Sequence, residues 1–365
     1  MWQRIFSNDL PRNRWLALLL VALVLGLAFT PFLFPGTKAL NVAAKVIVFT
    51  LLVASFDVLL GYTGIVSFAH TMFFGIGAYG VAIASARLGP TWGSLGVGVG
   101  AALAVSVMLA LVIGACSLRV KAIFFAMITL AVASAFLALA SQLSEYTGGE
   151  DGLTFKVPEA LQPATTYLDA PLFGVSIDGR IASYYLLFVA ALVLVLALLR
   201  IVNSPFGRVL QAIRENDFRA EAIGYRVAAY RTAASVISAA FATLAGVLLA
   251  LWLRYTGPDT TLSFEIMLDV LLIVVIGGMG SIYGALIGSA VLVLAQNYLQ
   301  DAMKLASTQF ESAFANAPWL AQLASPERWL LWLGILFVLS VYYFPAGVVG
   351  RLRAMRRVAA APKRA

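Results

Sequence analysis

Residues 181–201 read IASYYLLFVAALVLVLALLRI, and residues 204–224, just beyond, read SPFGRVLQAIRENDFRAEAIG. The first stretch carries one charge, Arg200, at its far end. A helix rises about 1.5 Å per residue, so a stretch of this length spans the roughly 30 Å of hydrocarbon in a bilayer. The second stretch holds arginines and carboxylates every few positions and has no place in lipid. A long apolar run handing over to a short charged segment decides the fold, because the same alternation recurs along the chain.

The 365 residues are 62% hydrophobic and 12% charged, against about half apolar and a quarter charged in a soluble domain. Ten runs have the length and polarity of transmembrane helices, with approximate limits 15–34, 43–60, 65–84, 93–117, 122–143, 181–201, 229–253, 265–280, 281–300 and 329–348. Glycines near 61–64 and 277–284 mark places where a helix breaks or re-enters. The expected fold is an all-α integral membrane protein, a polytopic bundle of about ten transmembrane helices with broken or glycine-rich segments. One permease domain, residues 1–365, accounts for the chain. The first run is longer than a secretory h-region and lacks an A-x-A site, so it reads as an uncleaved span.

Orientation follows from the basic residues. With the N-terminus inside, the inner segments hold Arg4, Arg12 and Arg14; Arg119 and Lys121; Arg200, Arg208, Arg214, Arg219, Arg226 and Arg231; and Arg351, Arg353, Arg356, Arg357, Lys363 and Arg364. These are 17 of the 25 lysines and arginines, which places both termini in the cytoplasm. The same clusters explain the net charge of +8 without nucleic acid. Residues 1–14 form a cytoplasmic N-terminus, 202–228 a cytoplasmic loop and 349–365 a basic cytoplasmic tail. Residues 144–180, rich in Gly, Pro and acids, form an irregular external loop. Residues 301–328 read as an external interfacial segment.

Within the charged segment, Ser204 suits an N-cap, Pro205 the first helical position and Gly224 a left-handed stop. Val209, Ile213 and Leu210 fall at helical spacing, while Arg208, Arg214, Glu215, Asp217 and Arg219 point elsewhere. Such an amphipathic element is able to dock into a groove on a soluble partner. A solvated loop that obeys the positive-inside rule is the plainer reading of the same residues.

Three motifs carry a family resemblance. The segment 204–224 resembles the cytoplasmic coupling loop of ABC-importer permeases, with Glu221-Ala222-Ile223 similar to the start of their E-A-A-x-x-x-G signature. Here the third position is Ile and Gly224 follows at once. The words Ser-Pro-Phe-Gly-Arg, Ala-Ile-Arg-Glu-Asn and Ala-Glu-Ala-Ile-Gly are closer to the LivM family of branched-chain amino-acid permeases. Gly61 to His70 followed by Phe73-Phe74-Gly75-Ile76-Gly77-Ala78-Tyr79 is similar to that family's G-x-x-S-L-G-H-x-x-F-F-G-I-G-A-Y, with Phe68 and Ala69 replacing Leu and Gly. Val275 to Gly284 is similar to V-I-G-G-x-G-S-x-x-G. The resemblance implies a permease subunit that moves branched-chain amino acids across the bacterial inner membrane. It would work with a second homologous permease, two ATP-binding subunits and a periplasmic solute-binding protein. Arg214, Glu215, Glu221, Ala222 and Gly224 would then couple to the ATPases.

Other residues are read from physics. His70, the sole histidine, shares a helix face with Ser67. With Thr71 they are candidates for the translocation path, since polar groups at membrane depth face protein or a wet cavity; a structural interhelical hydrogen bond is the competing role. Gly280, Gly284 and Gly288 recur every four residues and read as a helix-packing stripe. Asp57 lies three residues from a predicted end, where the interface would hydrate it, and Lys45, Glu265 and Asp269 also stand near predicted ends. Cys116, the one cysteine, reads as packing and permits no intrachain disulfide.

No catalytic or metal constellation is expected. No lysine sits between Gly and Ser or Thr, so the phosphate loop G-x-x-x-x-G-K-[ST] is missing and ATP would be used by partner subunits, with no cofactor on this chain. Gly96-x-Gly98-x-x-Ala101 matches a loose dinucleotide pattern but lies inside an apolar span. Urea or another small amide is the alternative cargo. A secondary transporter or channel is the alternative class, disfavoured by the sparse intramembrane carboxylates; a membrane enzyme lacks the clustered His, Asp or Cys it would need.

Overall fold

The computed structural model describes residues 14–34, 36–117, 122–167, 175–313, 325–344 and 347–351. The helices are α1 (Arg14–Leu33), α2 (Thr37–Asp57), α3 (His70–Leu88), α4 (Trp92–Ser117), α5 (Ala122–Gln142), α6 (Gly179–Asn203), α7 (Pro205–Glu215), α8 (Asp217–Ala222), α9 (Val227–Leu253), α10 (Phe264–Gly277), α11 (Ile282–Ala313) and α12 (Trp329–Tyr343). Ten helical stretches among the described residues are long and apolar enough to cross a membrane, and they coincide with the ten runs read from the sequence. Arg4, Arg12, Arg119, Lys121 and the tail beyond Arg351 lie outside the described residues, as do the side chain of Cys116 and residues 314–324.

The core is organised around α2. Its apolar residues cover every face, and from Val42 onward most of them are buried, as expected of a helix that other helices surround. It packs against α1, α6, α9, α10 and α11. By contrast α1, α5 and α12 expose Trp15, Leu18, Ile123, Phe124, Met127 and Tyr342, surfaces suited to lipid. Lipid supplies no hydrophobic drive for helices to associate, so close contact depends on small residues. Gly246 of α9 lies against the Phe74 carbonyl of α3, Gly77 of α3 against the Thr243 carbonyl of α9, and Gly98 of α4 against the backbone of Gly80 and Val81. Gly98 therefore serves helix packing. At the same crossing Thr243 Oγ1 donates to Ser106 Oγ at 2.6 Å.

Two interruptions stand out. After Asp57, α2 continues as a π-helical turn, Val58–Thr63, that ends on left-handed Gly64 (φ 74°). Between α10 and α11 the chain breaks at Gly278 (φ 107°) and Gly280 (φ 78°). Gly280 is thus not part of the helical stripe expected from its spacing, because α11 begins only at Ile282. Gly284 and Gly288 do lie on α11, against Gly277 and Ile273 of α10. The helix α11 runs from Ile282 to Ala313 without pause. Its length of about 48 Å exceeds the hydrocarbon thickness, so the segment starting at 301 begins as a direct extension of a span.

Loop contacts sort into two sets. Strand β1 (Leu153–Thr154) pairs antiparallel with β2 (Tyr255–Thr256), Arg87 donates to the Glu145 carbonyl, and Lys38 pairs with Asp301. At the other end, Arg214 meets Gly61 and Gly347 packs on Gly278. Each set contains only segments that the basic-residue count places on one side.

Candidate functional site

The charged segment folds as two helices. Ser204 is extended, Pro205 opens α7, and Gly207 lies against the backbone of Val202, so α7 folds back tightly on the end of α6. Asn216, also extended, stops α7, and its side chain accepts from Arg219 N at 2.8 Å to cap α8. Asp217 pairs with Arg231 of α9 at 3.3 Å, and Gly224 turns the chain with φ 97°.

The apolar face of α7 points inward. Leu210 and Ile213 are fully buried, and Phe206 stacks on Tyr230 of α9 at 5.6 Å. This corrects the expectation that Val209, Leu210 and Ile213 face a soluble partner: the bundle itself covers them, because an exposed leucine and isoleucine gain more by burial. What the segment shows outward is Phe218 (80% exposed), Ile223 (67%), Glu215, Glu221, Ala222 and Gly224.

Arg214, at the last turn of α7, reaches from this segment to both helix interruptions. Its stem crosses Gly64, and Nη1 donates a hydrogen bond to the carbonyl of Gly61 in the π-helical turn while lying beside Gly280. Four residues before Gly61, Asp57 is 2% exposed and accepts from the backbone N–H groups of Gly280 at 2.9 Å and Ser281 at 2.8 Å. The first N–H groups of a helix lack intrahelical partners and form its positive end. Asp57 therefore sits near the positive end of α11, held by the two residues that precede that helix, and Arg214 is within Coulombic reach of the same carboxylate. The expected hydration of Asp57 is replaced by backbone amides. Gly61 is required at this contact, since a Cβ there would run into Asp57 Oδ1 and Gly280 N.

Of the candidates Ser67, His70 and Thr71, the last two open α3, but Ser67 lies three residues before it in non-helical chain, so it does not share a helix face with His70 as its spacing suggested; the three are 3%, 1% and 3% exposed. His70 Nε2 lies 2.9 Å from Ser55 Oγ, and Phe56 meets the ring edge-on with centroids 5.1 Å apart. Ser238 of α9 donates to the Ser55 carbonyl at 2.5 Å, so this cluster ties α2, α3 and α9 together. His70 Nδ1 has no partner among the described residues. Among those residues no three His, Cys, Asp or Glu side chains converge on a common point that would hold a metal. The Asp57–Gly280–Ser281 contact was not read from the sequence; its only signal there is a carboxylate in an apolar run beside one glycine cluster, with a second cluster far along the chain.

A multi-pass bundle with a charged two-helix segment wired to breaks in its central spans defines a transmembrane permease subunit. The chain belongs to the family described as branched-chain amino acid transport system / permease component, whose profile matches residues 38–350. It is 28% identical over 297 residues to the high-affinity branched-chain amino acid transport system permease protein LivM of Escherichia coli, covering 78% of this chain and 68% of the relative. The Salmonella typhimurium protein of the same name is 27% identical over the same shares. A probable LivM of Methanocaldococcus jannaschii is 29% identical over 47% of each chain. No solved structure matches the chain significantly.

Proposed function

We propose that this permease subunit of an ABC importer carries branched-chain amino acids inward across the bacterial inner membrane, with both termini cytoplasmic. It pairs with a second homologous permease, two ATP-binding subunits and a periplasmic solute-binding protein. It has no ATP site or cofactor of its own. The branched-chain amino-acid transport role named for its relatives supports the cargo, and the basic-residue distribution supports the orientation.

The observation that carries the mechanism is the Arg214 link. A push on the outward residues Glu215, Glu221, Ala222 and Gly224 moves α7. Arg214 transmits that movement to Gly61 and, through Asp57, to the start of α11. Shifting these interruptions would open the sealed cluster of Ser67, His70 and Thr71, which we assign to the closed part of the path.

The test is uptake and ATPase activity of the reconstituted complex with Arg214→Ala, Glu221→Arg and Gly224→Pro. All three should leave assembly measurable and cut transport per ATP hydrolysed. Wild-type coupling in all three would remove the lever. Urea uptake in place of leucine uptake by the unaltered complex would change the cargo.

A further inference from the structure

At the end of the bundle opposite Arg214, α2, α9, α10, α11 and the segment before α10 line a half-open cavity of about 650 Å³, within the range of small-molecule sites. Its wall carries charges of both signs. Lys45 projects from α2 about 12 Å below the helix start, and Glu265 and Asp269 stand one turn apart on α10. Charges at such depth face protein or a wet cavity. Phe49, Trp252 and Ile266 supply apolar wall beside them.

The charges are only partly satisfied by the chain. Asp269 accepts from Gln296 Nε2 at 2.8 Å, and Lys45 lies over the Phe49 ring at 5.4 Å. Neither Lys45 nor Glu265 makes an ion pair among the described residues, although Lys45 lies within Coulombic reach of Asp269, and Asp259 adds a third carboxylate to the lining. Lys38, by contrast, is already taken by Asp301 at the rim and lies over Tyr298. A cation opposite the Glu265 and Asp269 carboxylates, with Asp259 also in the lining and aromatic and aliphatic wall between, matches one class of ligand. A neutral amide would leave both charges unpaired, a simple anion would meet the two carboxylates, and a simple cation would meet Lys45.

We propose that this cavity is an entry-side binding site for a zwitterionic α-amino acid with an apolar side chain. Lys45 takes the carboxylate, Asp269 and Glu265 take the ammonium, and Phe49 and Trp252 bound the side chain. The site rests on the amino-acid reading above and adds the residues that recognise both charged ends of the cargo.

The test is saturation-transfer NMR on the full chain in lipid nanodiscs, with leucine, leucinol (no carboxylate) and 4-methylpentanoate (no ammonium) as probes. Leucine should give the strongest saturable signal. Lys45→Met and Asp269→Asn should each weaken leucine binding about tenfold, the usual scale of a lost charge-assisted hydrogen bond, while Lys45→Arg retains it at an unchanged unfolding temperature. Equal signals from all three probes, or undiminished leucine binding in both neutral variants, would overturn the site. Because the unaltered chain already discriminates the probes, a variant that fails to fold does not spoil the test. Uptake by the assembled transporter separates the two claims. Leucine import with no probe discrimination sinks this site alone, whereas urea import without leucine import sinks the cargo reading.

Discussion

A carboxylate buried in a central helix must recover from protein groups the hydrogen bonds it gave up in water. Asp57 does so with the backbone N–H groups of Gly280 and Ser281, in the break just before α11. Hydrogen bonds to a charged group contribute about 1.5–3 kcal/mol, so Asp57→Ala should lower stability by about 2 kcal/mol or more, read as thermal unfolding of the purified chain. An unchanged unfolding temperature would mean that these bonds carry no weight. Gly61 offers a sharper comparison. A methyl group there meets Asp57 and the Gly280 backbone, whereas one on Gly26 meets nothing within 4 Å. Gly61→Ala should therefore cost about 1–3 kcal/mol through overpacking and Gly26→Ala nothing of that kind; equal behaviour of the two would count against the close approach.

At the scale of the element, α7 and α8 show how an amphipathic pattern fixes which residues cluster without saying what they cluster against. The spacing of Val209, Leu210 and Ile213 fits a docking face for a foreign groove equally well as one for the parent bundle, and the structure gives it to the bundle. On the proposed coupling role, the surface left for a motor subunit is the opposite side, where Phe218 and Ile223 are large, apolar and exposed in the same segment as Glu221. Buried apolar anchors commonly dominate such interfaces at about 2 kcal/mol or more each. Phe218→Asp with Ile223→Asp should abolish co-purification of the ATP-binding subunits while the unfolding temperature of the chain holds. Leu210→Ala should do the reverse, costing about 2–5 kcal/mol of stability before it touches assembly. Retained co-purification in the double aspartate variant would move the grip elsewhere.

Across the whole molecule, the sequence revealed what depends on local pattern and missed what depends on distant contacts. Ten apolar runs of bilayer length are legible because each span satisfies its own backbone bonds, and the cap residues Pro205 and Gly224 are legible because their conformations are local. The partner of Asp57 lies 223 residues away, and no periodicity encodes that distance. The contacts nevertheless supply a consistency that the basic-residue count lacks on its own. Arg214, Gly61 and Gly280 must share one side of the membrane, while Lys38 and Asp301 share the other with the paired strands at Leu153 and Tyr255. The sign comes only with the orientation proposed above from the basic residues, which has the Arg214 group cytoplasmic. Single cysteines introduced as Phe218→Cys, Glu150→Cys and Asp301→Cys on a Cys116→Ser background test both statements with a membrane-impermeant maleimide on right-side-out vesicles. Glu150→Cys and Asp301→Cys should label in sealed vesicles, and Phe218→Cys only after permeabilisation. If the Glu150 and Asp301 positions label from opposite sides, the bundle's own loop contacts are wrong. If Phe218→Cys labels in sealed vesicles, no cytosolic motor reaches α8, and the coupling route through Arg214 has nothing to drive it.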